Sequence, residues 1–267
     1  MTISSPDLPA AGKPARRGLG DKTALALVML ALLAVVQIVS GLVPPYILPA
    51  PVAILRALWR VVLGEPRTLL VSLLRLFAAL GVSLLVGTLL GLAMSIAPRL
   101  RPILRALVVI DTGVPALSWI LVAVFWFRNP EYRIFFVMVM ILVPFYAMQV
   151  HDGIRAMPRD WVEMIGVFRP SNHQLLRFLI LPHVVAYVIM TTKSIIGYAT
   201  RMLVFAEIIS ATMGVGAEMG VAQASFHMED VLAWTILLIV FNVVAQGSIG
   251  IIERHALGWR AEAEIGG

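Results

Sequence analysis

Cysteine is absent from the 267 residues, and charge is scarce at 13% Asp, Glu, Lys and Arg, where a soluble domain carries about 25%. Without cysteine there is no disulfide framework, no thiolate zinc site and no thiol nucleophile. The shortage of charge, with 60% hydrophobic residues and a mean hydropathy of +0.92, excludes an ordinary water-soluble globule. The phosphate-cradling pattern GxxxxGK[ST] does not occur, so this chain has no nucleotide-binding loop of that kind and is not expected to be an enzyme. HExxH and GxSxG are also missing, as is any pair of acids on one candidate intramembrane helix. The five histidines, His151, His173, His183, His227 and His255, lack ligand spacing, and no metal site is expected. No internal repeat is visible.

What is present is a series of long apolar runs. A crossing takes about 20 residues, and six fit, over about 23–43, 69–97, 104–127, 133–150, 183–206 and 231–252. The third holds Asp111 and the fifth Lys193 and Arg201. With a cytoplasmic N-terminus, thirteen basic residues fall inside and five outside, while the stretch 207–230 has four acids and no Lys or Arg. That asymmetry predicts an all-α membrane protein with six transmembrane helices and both ends inside, N-in/C-in. The net charge of +6 is then a topology signal, and nucleic acid is not an expected partner. Residues 1–22 read as a disordered basic cytoplasmic tail, 23–260 as one transmembrane domain and 261–267 as a second tail. The first apolar run is expected to be an uncleaved span rather than a signal peptide. Pro49 and Pro51 lead into Ile54, Leu55, Leu58, Val61 and Val62, spaced as a helix lying in the outer interface. Gly87 and Gly91 form a GxxxG suited to close helix packing, within the chain rather than between copies.

The segment 157–182, MPRDWVEMIGVFRPSNHQLLRFLILP, is too patterned for a connection. Asp160 with Glu163 and Ser171 with Gln174 match capping boxes, and Arg169-Pro170 forces a break, so a hairpin of two short helices is predicted over 157–180. Trp161, Ile165 and Phe168 fall near one face of the first helix, and Leu175, Leu176, Phe178 and Leu179 run along the second. Two readings stay open for this apolar surface: packing on the protein's own helix ends, or docking another subunit.

The same segment resembles the EAA signature of the inner-membrane permease of binding-protein-dependent ABC importers. Glu163 stands for its acid and Leu181-Pro182 for its closing Leu-Pro at the family's spacing. Met164 and Ile165 replace two alanines, and Arg169 stands where the family turns on glycine, with Gly166 displaced from that place. Leu48 to Pro51, Ser72 to Arg75, Gly87, Gly91 and Pro115 resemble further elements of the nitrate, taurine and aliphatic-sulfonate branch. So do Lys193, Gly197, Ala199, Arg201, Glu207 and Gly214 to Gly216. The resemblance spans about residues 45–260 and implies a permease in which Trp161, Glu163, Met164, Ile165, Gly166, Phe168, Arg169 and Pro170 couple to ATPases. It implies an outer gate loop with Glu207, Gly214 and Gly216, and as partners two ABC ATPases, a second permease copy, lipid and a periplasmic or lipid-anchored solute-binding protein. No cofactor is expected on this chain, since ATP and Mg would sit on the ATPase.

Charges inside spans cost about 3 kcal/mol or more at mid-membrane unless paired or wet. Arg75, Asp111, Lys193 and Arg201, together with Pro115, are therefore assigned to a translocation path. Lys193 reads as about 15 Å deep, either facing a wet path or held structurally, by Asp111 or by helix-end carbonyls, while Arg201 lies nearer the outer interface and can snorkel. Two rival functions are a proton- or sodium-coupled secondary transporter exchanging through Asp111 and Lys193, and a non-transporting membrane scaffold.

Overall fold

The computed structural model describes residues 34–257 and, ahead of them, residues 23, 27, 28 and 31. Residues 34–39 are helical, but most of the predicted first span and both predicted tails lie outside the described residues. Every regular element among the described residues is helical.

Helix α1 (Pro51–Gly64) starts on a proline, whose missing N–H is no loss in a first turn. It buries Ala57 and Val61 against Val215, Ala233 and Trp234. Helix α2 (Pro66–Ile96) is the first helix among the described residues that is long and apolar enough to cross a membrane. The expected single span 104–127 is instead two helices, α3 (Arg101–Thr112) and α4 (Ala116–Trp126), bent by 94°. Pro115 causes the break: it cannot donate to a continuing helix, and it takes the extended N-cap position of α4 with ψ 136°.

Helix α5 (Pro130–Arg155) is central, with 56% of its most apolar window buried. It packs on α2, where Gly87 and Gly91 let the backbones touch: a Cβ on Gly87 would lie 2.5 Å from Tyr146 Cβ, and one on Gly91 2.6 Å from Ala147 O. Lipid offers no hydrophobic drive for this contact, so close van der Waals packing holds it. The glycine pair thus packs within the chain, and Leu76, Met138, Leu142, Tyr146 and Ile196 fill the core beside it.

The hairpin follows as α6 (Arg159–Val167) and α7 (Asn172–Leu175). A π-helical turn, Leu176–Ile180, joins α7 to α8 (Leu181–Ser210), so the expected second short helix is the lead-in to the next crossing. Helix α9 (Val215–Ala224) is followed by α10 (Met228–Ala256), only 6% of whose most apolar window is buried. Among the described residues four helices, α2, α5, the run His173–Ser210 and α10, are long and apolar enough to cross a membrane, or five if the bent pair α3–α4 is one broken span.

Candidate functional site

Three places collect the residues singled out from the sequence. At the C-terminal end of α8, its outer end in the predicted orientation, Glu207 is completely buried one turn before the helix stops. Arg75 of α2 donates from Nη1 to Glu207 Oε1 at 2.7 Å and to Met213 O at 2.6 Å. Its Nε donates to Glu131 Oε2 at 2.7 Å, and Nη2 bonds Glu131 Oε1 as well. Ser72, one turn earlier on α2, donates to Glu207 Oε1 at 2.7 Å and accepts from Val215 N at 2.8 Å. Gly216 N donates to Glu207 Oε2 at 2.9 Å. The buried carboxylate is thus paired with a guanidinium and also holds a hydroxyl and a backbone N–H, as a charge out of water requires.

Gly214 sits in this network with φ +129°, and a Cβ there would meet Glu207 Oε1 at 2.5 Å and Arg75 Nη1 at 2.7 Å. Gly216 is equally confined, with Val204 O 2.4 Å from its would-be Cβ. Both glycines therefore clear space for the ion pair. The loop that follows is no flexible connection: α9 buries Val215, Gly216, Ala217 and Ala222, and packs on α8 and α10. Arg75, assigned to a path, and Glu207, Gly214 and Gly216, assigned to a gate loop, are one cluster.

Glu131 was not anticipated. Asn129 caps α5 by accepting from Glu131 N at 2.8 Å, Pro130 follows at N1, and Glu131 stands in the first turn, where the helix dipole favours an acid. The Asn-Pro-Glu run marks a helix start in the sequence, but its partner lies 56 residues away.

At the other end of α8 is the hairpin. Ser171 and Gln174 form their capping box, with Ser171 N donating to Gln174 Oε1 at 2.8 Å and Gln174 N to Ser171 Oγ at 3.3 Å. The Asp160–Glu163 box does not form, because Pro158 occupies the N-cap with ψ 133° and places Asp160 inside the first turn. Arg169 takes the left-handed conformation with φ +47°. Pro170 follows it, so the chain reverses at the predicted place.

Trp161 and Ile165 line a groove of about 380 Å³ with Met164, Phe178, Pro182 and His183. The Trp161 and His183 rings meet edge to face at 6.1 Å, and His183 Nε2 is 3.0 Å from Gly153 O, which moors α6 to α5 and α8. Phe168, expected on the face of Trp161, stays outside this groove and is 82% exposed. Glu163, Gly166, Met164 and Val167 are exposed too.

Among the remaining intramembrane charges, Lys193 does not pair with Asp111. Its Nζ donates to Glu253 Oε2 of α10 at 2.5 Å, near that helix's inner end. Asp111 lies at the α3–α4 bend, lining a 90 Å³ cavity with Trp119 and Tyr198. Arg201 donates from Nε to Gly197 O at 3.1 Å and is exposed. It borders a groove of about 590 Å³ between α8, α9 and α10, with Asn242 and Gln246 opposite. Those two polar residues interrupt the α10 apolar run and are readable in the sequence as an i, i+4 pair.

The family model for the binding-protein-dependent transport system inner membrane component matches residues 83–257. The taurine transport system permease protein TauC of Escherichia coli (strain K12) is 25% identical over 231 residues, covering 84% of each chain. A putative aliphatic sulfonates transport permease protein, SsuC of Bacillus subtilis (strain 168), is 26% identical over 94% of this chain and 92% of its own. The bicarbonate transport system permease protein CmpB of Synechococcus elongatus is 22% identical over 55% of this chain and 50% of its own. Among solved structures, a chain of an amino acid ABC transporter superposes with a TM-score of 0.63 at 14% identity, covering 71% of this chain and 92% of that one. A chain of the inward-facing MetNI methionine ABC transporter gives 0.59 at 15%, covering 72% and 99%. These two likenesses concern the fold, while the family match extends from the second half of α2 through α10, taking in the hairpin, Glu207, Gly214 and Gly216 but not Ser72 or Arg75. The chain belongs to the inner membrane components of binding-protein-dependent transport systems and is a multi-pass membrane protein.

Proposed function

We propose that this chain is the permease subunit of an ATP-driven ABC importer for a small anion of the nitrate, sulfonate or taurine kind. Two copies form the solute pathway, cytoplasmic ATPases grip the two hairpins, and a periplasmic or lipid-anchored binding protein delivers solute to the outer side. The chain crosses six times with both ends inside, the first crossing being 23–43. ATP and Mg belong to the ATPase, and closure of the ATPases tilts the helices that the hairpins end on.

The observation that supports this most is the hairpin itself. Its exposed apolar side chains, Met164, Val167 and Phe168, surround the exposed Glu163. They stand at the start of a helix whose 30 residues, about 45 Å of rise, lead to the Glu207 cluster. A push on the hairpin is therefore carried by one continuous rod to the outer side. A subunit that docks there needs an apolar surface with an acid in it. The solute class is carried over from the taurine, aliphatic sulfonate and bicarbonate permeases to which the chain is similar. The rival exchange mechanism relied on an Asp111–Lys193 pair, and Lys193 is committed to Glu253 instead.

The test is affinity capture of the tagged, detergent-solubilised protein with ATPase activity measured on the product. A stoichiometric ATPase is expected. Glu163→Ala or Phe168→Asp should abolish solute uptake while membrane insertion is unchanged. Wild-type uptake in both variants, or a clean preparation with no ATPase, would sink the reading.

A further inference from the structure

The groove between α8 and α10 has a chemistry that neither the hairpin nor the Glu207 cluster accounts for. Of the three cations assigned to a translocation path, Arg75, Lys193 and Arg201, two are neutralised: Arg75 by Glu207 and Glu131, Lys193 by Glu253. Among the described residues Arg201 has no carboxylate partner, and only its Nε is spent, on Gly197 O at 3.1 Å. Both terminal nitrogens of the guanidinium remain as donors.

Gly197 is also where the opposite helix brings its amides. A Cβ on Gly197 would lie 3.5 Å from Asn242 Oδ1 and 3.7 Å from Gln246 Nε2. Asn242 is occupied, donating to Leu238 O at 2.9 Å and accepting from Thr200 Oγ1 at 3.4 Å, so it buttresses the wall. Gln246 is exposed to the groove. Counted from the start of α10 at Met228, Asn242 and Gln246 stand about 21 and 27 Å along a helix of about 43 Å, which is its middle. Arg201 stands about 30 Å along the 45 Å of α8 and its Nε reaches back to Gly197 O, so its guanidinium and the Gln246 amide both lie inside the crossings, where facing lipid is costly and a wet, protein-lined space is favoured.

We infer that this groove is a binding site for a short-chain organic oxyanion, a sulfonate or carboxylate with an apolar tail, held by the Arg201 guanidinium and the Gln246 amide. The planar fork of Arg201 matches two oxygens of such a headgroup. Val204, Phe205, Leu238 and Val243 line the rest of the 590 Å³ and give an aliphatic tail apolar contact. That apolar wall is wasted on a bare inorganic anion, so the site favours an organosulfonate over nitrate or bicarbonate. The inference rests on the permease reading and narrows its solute class.

Because the chain has no cysteine, a single reporter thiol can be placed without background. Val243→Cys puts it in the groove, exposed and outside the donor set. The full-length protein in lipid nanodiscs is labelled with sulfonatoethyl or trimethylammonioethyl methanethiosulfonate, each rate divided by that of glutathione. The anionic reagent is expected to be favoured, and Arg201→Gln to reduce that preference on the order of tenfold, with Arg201→Lys keeping most of it. Excess pentanesulfonate should slow labelling, while sodium nitrate at equal ionic strength should not. A thiol that neither reagent reaches, a preference unmoved by Arg201→Gln, or equal protection by nitrate would each overturn the inference. If Arg201→Gln does not fold, the protection experiment on Val243→Cys alone decides. ATPase capture from the same preparation separates the two failures: a captured ATPase with flat labelling rejects only the anion site, and the converse rejects only the importer.

Discussion

At its outer end in the predicted orientation α8 carries a carboxylate with no solvent exposure, fixed by a guanidinium and a hydroxyl from α2 and a backbone N–H from α9. At its inner end the same helix emerges from a π-helical turn and a hairpin in which Phe168 and Phe178 are exposed. The outer end is complete within one chain: each charge has its partner and each glycine makes room for it. The inner end is complete only in its turn chemistry, with its apolar side chains left uncovered. A rod fixed at one end and unfinished at the other is suited to transmit displacement, because force applied at the hairpin is not absorbed by loose packing at the far end.

The sharpest way to break this contrast is to remove the buried acid. Glu207→Ala leaves Arg75 with Glu131 and the Met213 carbonyl but without its buried carboxylate, and strips Ser72 and Gly216 N of their acceptor. Breaking a buried pair in this way costs about 3–5 kcal/mol. Phe168→Asp at the exposed inner end should stay within about 0.5 kcal/mol of wild type. Thermal unfolding of the purified protein in detergent measures both. Equal losses at the two ends would mean that the outer network is not a fixed anchor.

A smaller effect is expected at Gly214. With φ +129° and Glu207 Oε1 2.5 Å from the would-be Cβ, Gly214→Ala meets both backbone strain and a carboxylate that cannot move. The cost is about 2–3 kcal/mol. The double variant with Glu207→Ala sharpens the point: without the carboxylate the new methyl loses its nearest clash and the Arg75 guanidinium, no longer held by Glu207, can give way, so the double variant should lose less than the sum of the two single losses. Strict additivity in the same unfolding assay would show that the clash with Glu207 is not what confines Gly214.

Local signals carried most of what the sequence made legible. Charge-free runs located the long crossings, Ser171 and Gln174 located the start of the second hairpin helix, and Arg169-Pro170 located its break. Each depends on residues within one or two turns. The features that were not legible are pairings across long separations or choices between neighbours. Arg75 finds Glu131 across 56 residues and Lys193 finds Glu253 across 60. Asp111 is the one acid that the apolar runs themselves offer to Lys193, beside helix-end carbonyls. Glu253 lies just past the end of its run, and only the packing of α10 on α8 reveals that it is within reach. The bend between α3 and α4 shows a related limit: Pro115 was noted as a motif element, but hydropathy alone cannot distinguish a straight crossing from one broken by 94°. Asp160 shows the opposite error, a good capping residue displaced by the proline two positions before it.

The smallest effect concerns the inner end, where Arg169 holds φ +47°. For an L-residue this conformation costs about 1–2 kcal/mol. Glycine adopts it freely but loses about 0.5–1 kcal/mol more in backbone entropy on folding. Arg169→Gly should therefore stabilise the hairpin by about 0.5–1 kcal/mol, with Arg169 N still donating to Gly166 O as it does now at 3.0 Å. Arg169→Ala keeps the Cβ and should give no such gain. Hydrogen exchange of the amides in 160–175 reads this directly, since α6 is moored mainly through Trp161 and opens locally before the rest of the molecule. A severalfold slowing in the glycine variant, absent in the alanine variant, is the expected result. Equal exchange in the two would show that the left-handed turn is not the strained point of the hairpin.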